Sequence, residues 1–419
     1  MAKKKVVTKE EVRMEGAPDW YGTPLEELGF EWSPEEKLEI ERYCEKILKN
    51  VAEEEMTPLE RWKANMAGKP KDRQLMIAHL KPVRVTRVLD AYADALKPID
   101  LYRSPKLLVK GMLAAAARFK LDYTCFANIS YTEEIWGGRS KLVEYGNPCP
   151  VGDPPIKSMK DLEGLEIPDP YKVGLYPGWL WVCREIRRIV DQYHLPLPVW
   201  VSMCPGAAEV AMLGMMGWTP FVIALRKDPE LARACVDLAH QWNVKFARAL
   251  IDVARPEGIY CCQFTGGFPL KGSEWVADKW AELAKTIKAM QPGVHLSHGY
   301  SFLSGVFQWY PILWDHNAMT PDSFDGGHGG YSQDIDMKGV FNWHRDHNLY
   351  LSYSILDATL EKGPISAIEA EFKALCEFSK SQHPKFAPAI NPTYFTPDAH
   401  IDAAVAAFKK YSKYSAGIS

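Results

Sequence analysis

The sequence has no apolar run approaching the roughly 20 residues that a membrane-crossing helix requires, which argues for a soluble chain with no membrane partner. It has no surplus of positive charge either. Fifty Lys+Arg stand against 53 Asp+Glu, a formal net charge of −3, so no basic field is available to hold phosphate backbones and nucleic acid is not expected as a partner. The nine cysteines are odd in number and contain no C-x-x-C pair, which speaks for a reduced interior rather than a disulfide framework or a redox motif. Cys261 and Cys262 are adjacent, but neighbours in a strand face opposite sides, so they read as small core residues. Lys3, Lys4 and Lys5 are followed by Glu10 and Glu11 instead of an apolar signal core, and a cytoplasmic location is the expectation. Aromatic residues are plentiful: 14 Trp and 19 Tyr exceed what a core alone needs, so some should line a cavity for a flat or apolar ligand.

A chain of 419 residues allows two or three domains at about 150 residues each, or one large barrel with insertions. Residues 1–56 are polar and charged, with one helical stretch over 34–51, and read as an N-terminal extension. At Thr57-Pro58-Leu59-Glu60 an N-cap residue, a first-turn proline and an early acid open a helix. From there short apolar runs alternate with amphipathic helices. The runs read as strands are 74–79, 123–129, 198–204, 259–264, 294–297, 312–314, 349–354 and 386–390. Among the helices, one starts at Asp228-Pro229-Glu230 and carries Leu231, Cys235, Leu238, Trp242, Phe246, Leu250 and Val253 on one face. Eight strands each followed by a helix predict an α/β fold, a (β/α)8 TIM barrel over 57–419 with an N-terminal helical extension and loop insertions. Function is then expected on the loops after the strands. One of them, Asp325-Gly326-Gly327-His328-Gly329-Gly330-Tyr331, reads as a substrate lid or a surface loop; it lacks the Lys-Ser/Thr of a phosphate loop.

Several segments in order resemble the uroporphyrinogen decarboxylase superfamily, which includes the decarboxylase and cobalamin-linked methyltransferases. They are Thr57-Pro58-Leu59-Glu60-Arg61-Trp62, Lys71-Asp72-Arg73, Glu134-Ile135-Trp136-Gly137-Gly138, Pro168-Asp169-Pro170, Cys204-Pro205-Gly206-Ala207-Ala208, Lys227-Asp228-Pro229-Glu230-Leu231, Ser297-His298-Gly299 and Ala387-Pro388-Ala389-Ile390. The arginine clamp that decarboxylases place after their first strand is replaced here by Ile77-Ala78-His79-Leu80-Lys81, so porphyrin decarboxylation is not expected. At the places where thiol-alkylating relatives hold zinc this chain has Leu296, His298 and Ile390, so thiol activation is not expected either. The resemblance then implies a methyltransferase, an O-demethylase component, that moves a methyl group from a methoxylated small molecule, aromatic or not, to cobalt. The chain has no D-x-H-x-x-G cobalamin signature, so the cobalamin would ride on a separate corrinoid protein.

Cleaving a methyl ether requires that the departing oxygen be protonated or bound by a Lewis acid. The candidate proton donors are His298, His328 and Tyr353, with His298 first because it stands before Gly299 and in the place of a functional cysteine of relatives. A structural, hydrogen-bonded histidine is the alternative. His295 and His298 would face opposite sides of one strand. Candidate substrate-binding residues are Asn128, Met203, Gln263, Tyr300 and Trp314, with Trp136 and Trp309 as further aromatics; Met and Trp at strand ends serve equally as core. A metal would fall to His298 and Glu274, but Gln263 stands where relatives hold an acid, which argues against zinc. Two other readings stay open: a metal-free decarboxylase or lyase on a non-porphyrin acid, with Arg139 as its nearest cation, and a non-catalytic binding barrel. A homo-oligomer is compatible with all three.

Overall fold

A computed structural model describes residues 14–69, 71–78, 89, 96–124, 133–144, 148–203, 206–262, 273–299, 306–317, 324–327, 337–382, 385–393 and 395–414. Its centre is one parallel sheet of seven strands: β1 (Ile77–Ala78), β2 (Trp200–Ser202), β3 (Gly258–Cys262), β4 (His295–Gly299), β5 (Phe324–Gly327), β6 (Tyr350–Ser354) and β7 (Phe386–Ile390). Their spatial order is β1-β7-β6-β5-β4-β3-β2, with every pairing parallel. Parallel strands need crossover connections, and helices supply them. Residues 122–124 reach both edges of the sheet. Thr124 N donates to Pro198 O at 3.0 Å and Trp200 N to Thr124 Oγ1 at 3.1 Å, while Met76 N donates to Asp122 Oδ2 at 2.7 Å.

Two sets of apolar residues show how the sheet is phased. Val201, Ile259, Cys261, Leu296, Leu351, Phe386 and Ile390 belong to the large core beneath the helices. Ile77, Trp200, Tyr260, Tyr350, Ala387 and Ala389 alternate with them and form a second buried cluster with Trp62, Leu75 and Tyr123. That second cluster draws on both edge strands, β1 and β2, so the sheet curves around an aromatic plug. Trp62 enters it from helix α1 (Pro58–Met66), edge-on to Trp200 at 4.9 Å and to His295 at 5.6 Å. Gly258 makes room for the plug, because a Cβ there would lie 2.4 Å from the indole of Trp200. Tyr350 completes it, its hydroxyl donating to Met66 O.

Six of the eight expected runs overlap described strands, and 386–390 coincides with β7. Two expectations need correction or fall away. The run 312–314 is helical, inside α2 (Val306–Asp315), with Pro311 within the helix. A short apolar run has no period that separates strand from helix, and an interior proline reads as a break. The strand in this part of the chain is instead β5, Phe-Asp-Gly-Gly, whose glycines carry low strand propensity. Pairing on both sides, with β4 and β6, supplies its ladder. Of 123–129, Tyr123 and Thr124 are described and lie outside any strand; the rest lies outside the described residues.

The helix expected in the extension spans Pro34–Ala52, with Ser33 and Glu36 forming a reciprocal capping box and Pro34 in the first turn. Its buried face of Ile40, Cys44 and Ile47 joins the large core and packs on the helix Pro105–Phe119.

Beside it lies a buried ionic network. The Arg61 guanidinium, fully buried, donates to Asp72 Oδ2 at 2.6 Å, Asp122 Oδ1 at 2.6 Å and Glu54 Oε2 at 2.7 Å. Arg73 donates to Asp122 Oδ2 at 2.7 Å and Glu54 Oε2 at 2.6 Å, and Lys409 pairs with Glu54 as well. Burial alone would push the Asp122 carboxyl up, but Arg73 and Arg61 hold it well below the usual carboxylate range. Arg61, Asp72 and Arg73 are the residues of the opening sequence motifs, and in the structure they tie the N-terminal helices to the start of the sheet.

Candidate active site

In parallel α/β folds the chemistry gathers where strands end at their carboxyl side. Here those ends are Ala78, Ser202, Cys262, Gly299, Gly327, Ser354 and Ile390. The polar residues described next to them include Asp357 and the buried Asn391, whose Nδ2 donates to Asp357 Oδ2 at 3.4 Å. After β2 the chain turns through Gly206 into a short helix, Ala207–Glu209, and then a π-helical stretch, Val210–Met216. Such wide turns are frequent at functional sites. Glu209, at its head, is buried.

Register decides the position of His298. Cys261, His298, Asp325 and Leu351 are Cα partners across β3, β4, β5 and β6. Residues partnered in a parallel sheet share a face, and Cys261 and Leu351 belong to the core beneath the helices. Position 298 therefore falls in the helix-side row, while the side chains of 297–299 lie outside the described residues. Strand β4 runs unbroken from His295 to Gly299, so positions 295 and 298 take opposite faces; His295 stands on the plug side, against Trp62.

The other expected residues divide into two groups. Asn128, Gln263, Tyr300 and His328 lie outside the described residues. Met203, Tyr353, Trp314 and Glu274 are described, and the structure does not bring them together. Met203 is fully buried in the core, its N–H donating to Tyr260 O at 2.7 Å. Tyr353 packs against the same core, edge-on to Phe341 at 6.0 Å, and burial with the charge of Glu371 pushes its hydroxyl up to about 12. Trp314 is half-buried on α2 and edge-on to His347 at 4.6 Å. These three were expected at a pocket or as a proton donor; the strand phase turns Met203 and Tyr353 toward the helices, and Trp314 is on a helix rather than a strand. Glu274 is exposed in the first turn of the helix Ser273–Met290, where an acid complements the helix dipole. Among the described residues no group of three or more His, Cys, Asp or Glu is arranged to hold a metal ion. Zinc therefore has no fitting ligand set among them.

Sequence reasoning picked out Glu134-Ile135-Trp136-Gly137-Gly138 only as a motif. In the structure it opens a chemical site. Glu133–Trp136 forms one helical turn packed against the π-helical stretch. Gly137 takes φ +99°, and Gly138 N donates back to Glu133 O at 2.7 Å. A Cβ at Gly138 would sit 2.9 Å from that carbonyl oxygen, so only glycine closes the turn in this way. Closure sets both glutamates on Ser140: Ser140 Oγ lies 2.6 Å from Glu134 Oε2 and 3.1 Å from Glu133 Oε2. The other Glu134 oxygen rests against Gly174, where φ is +59° and a Cβ would approach it to 3.3 Å. Burial pushes both carboxyls up to about 7, and the bonds to Ser140 only partly offset it. The one signal available in the sequence was two adjacent acids placed directly before Ile-Trp-Gly-Gly. Arg139, the expected cation of the lyase reading, is exposed.

The parallel sheet and its helix layer define a parallel α/β protein. The uroporphyrinogen decarboxylase (URO-D) family matches residues 57–267, half of the chain, and the chain belongs to that family. A methyltransferase from Methanosarcina mazei shares the fold with TM-score 0.66 and 18% identity, over 85% of this chain and 99% of its own. A chitinase domain from Pyrococcus furiosus is similar at TM-score 0.40 and 9% identity, over 83% of this chain and 98% of its own. No curated protein sequence matches the chain. No single helix among the described residues is long and apolar enough to cross a membrane.

Proposed function

We propose that this protein is a methyltransferase that takes a methyl group from a methoxylated small molecule and passes it to the cobalt of a cobalamin carried by a separate corrinoid protein. The fold that goes with this reading is a (β/α)8 barrel. The observation that carries the reading is membership of the URO-D family combined with the residues at 296, 298 and 390. Leu296 and Ile390 are buried apolar residues of the helix-side core. No thiolate ligand stands at these positions, which favours an oxygen-bound methyl donor over a thiol acceptor. The C–O bond of the donor breaks, the methyl group leaves for the acceptor, and the oxygen takes a proton. His328, the residue after the end of β5, is the first donor to test, followed by His298.

The test is a spectroscopic titration of reduced cobalamin, free and on a corrinoid protein, with this protein and a panel of methoxylated compounds. Methylation of the cobalamin only when protein and donor are both present is the expected result. Absence of methylation across the panel, with carbon dioxide released from a carboxylic acid instead, would replace the reading with the lyase.

A further inference from the structure

The geometry points to a shared proton at Glu133, Ser140 and Glu134: one carboxyl stays neutral and donates to Ser140 Oγ, while the serine's own hydrogen goes to the other carboxyl. The inventory of hydrogens requires it. Two ionised carboxylates only accept, and a serine hydroxyl has one hydrogen to give. Ser140 Oγ nevertheless meets an oxygen of each glutamate, at 2.6 and 3.1 Å. Its second contact is a hydrogen bond only if a carboxyl brings the hydrogen.

A separate observation agrees. Glu133 is 3% exposed and its Oε1 has no hydrogen-bond partner among the described residues; Trp136 Nε1, one turn along and 2% exposed, has none among them either. A carboxylate buried with an oxygen unpaired is costly, whereas the carbonyl oxygen of a neutral acid carries a much smaller penalty. Among the described residues no Lys or Arg forms an ion pair with either glutamate. The proton is assigned to the pair and not to one residue, since two groups this close titrate together.

Among the described residues, the elements around the pair supply no balancing charge. The π-helical stretch Val210–Met216 contains no titratable residue, and Glu209 at its head would add a like charge. Helix Pro229–Ala254 meets the turn through Trp242, which lies 6.4 Å from Trp136; its His240 pairs with Glu282 instead. Tyr176 packs on Trp242, and the Tyr21 hydroxyl lies beside Gly174. Lys141, next to Ser140, pairs outward with Glu15, and Arg139 is exposed. Loss of the shared proton therefore leaves two buried negative charges with one donor between them, on a turn that ties the segment after residue 132 to Ser140 and Gly174. The result is a lock that holds in acid and loosens in alkali.

Infrared spectroscopy of the full chain tests this directly. The wild type should show a buried, protonated carboxyl band at about pH 6, a value above that of ordinary carboxyls. The band should be absent in E133Q/E134Q and displaced in frequency in S140A, which removes the bonding partner. The melting temperature of the wild type should fall between about pH 5 and 8 more steeply than that of E133Q. No protonated carboxyl band in the wild type at pH 6, or a band unmoved by both S140A and E133Q/E134Q, would overturn the inference.

Discussion

Two buried clusters of ionisable groups among the described residues are built on opposite principles. At the sheet's start, Glu54, Asp72 and Asp122 meet Arg61, Arg73 and Lys409, and every carboxylate has a cation within hydrogen-bond distance. At the turn after residue 132, Glu133 and Glu134 meet a serine. Burial is comparable, with Asp122 fully buried and the two glutamates 3% and 5% exposed. The outcome differs in sign: Asp122 is held below the usual carboxylate range, the glutamates are pushed up to about 7. Desolvation acts on both, and the partner decides the protonation state.

The largest effect should come from breaking the first cluster. Asp122→Ala removes the shared acceptor of Arg61, Arg73 and the Met76 N–H, and leaves two buried guanidinium groups short of a counter-charge. A loss of about 3–5 kcal/mol is expected, read as a lower urea midpoint at constant slope. The clusters also predict opposite arms of a stability profile. A depressed carboxyl such as Asp122 contributes stability that is present above the ordinary carboxyl value and lost as pH falls toward its folded value. A raised pair contributes stability that is present below the ordinary value and lost as pH rises through about 7. Asp122→Ala should weaken the acid arm and leave the neutral one; a neutral arm that vanished with it would show that the two clusters are not independent.

How much of this could be read in advance follows from the kind of signal. Strands such as β6 and β7 were legible because an apolar run bounded by polar residues has few other readings. Their phase was not, because both faces of a buried parallel strand are apolar. That is why Met203 was expected at a pocket and Tyr353 as a proton donor, when Val201 and Leu351, two residues earlier in each strand, share their side of the sheet. Strand β5 was hidden by its glycines, and α2 by Pro311. The motif around Glu134 was visible, but its chemistry needed Ser140 and Gly174, which only the fold brings to the carboxyls.

A smaller effect should come from spoiling the turn that forms the second cluster. Gly138→Ala places a methyl group 2.9 Å from Glu133 O and 3.0 Å from Glu133 Cβ, and neither is the end of a flexible side chain. Overpacking of this kind costs about 1–3 kcal/mol. If the turn is what sets the carboxyls on Ser140, the variant should also lose part of the pH dependence between about pH 5 and 8. A thermal melt at both ends of that range separates the outcomes: an equal loss at each pH would mean that the pair is positioned without the turn.

The smallest effect is expected where charge is paired but not buried. Lys157 and Asp153 approach to 2.6 Å, as close as Arg61 and Asp122, yet their side chains are 60% and 85% exposed. Water already solvates both ions, so the contact replaces hydration instead of rescuing a desolvated charge, and salt screens what attraction is left. Lys157→Ala should therefore leave the melting temperature within the scatter of replicate scans, at low and at moderate salt. A clear loss at low salt would mean that distance, and not burial, governs these pairs, and it would remove the basis on which the two buried clusters were contrasted.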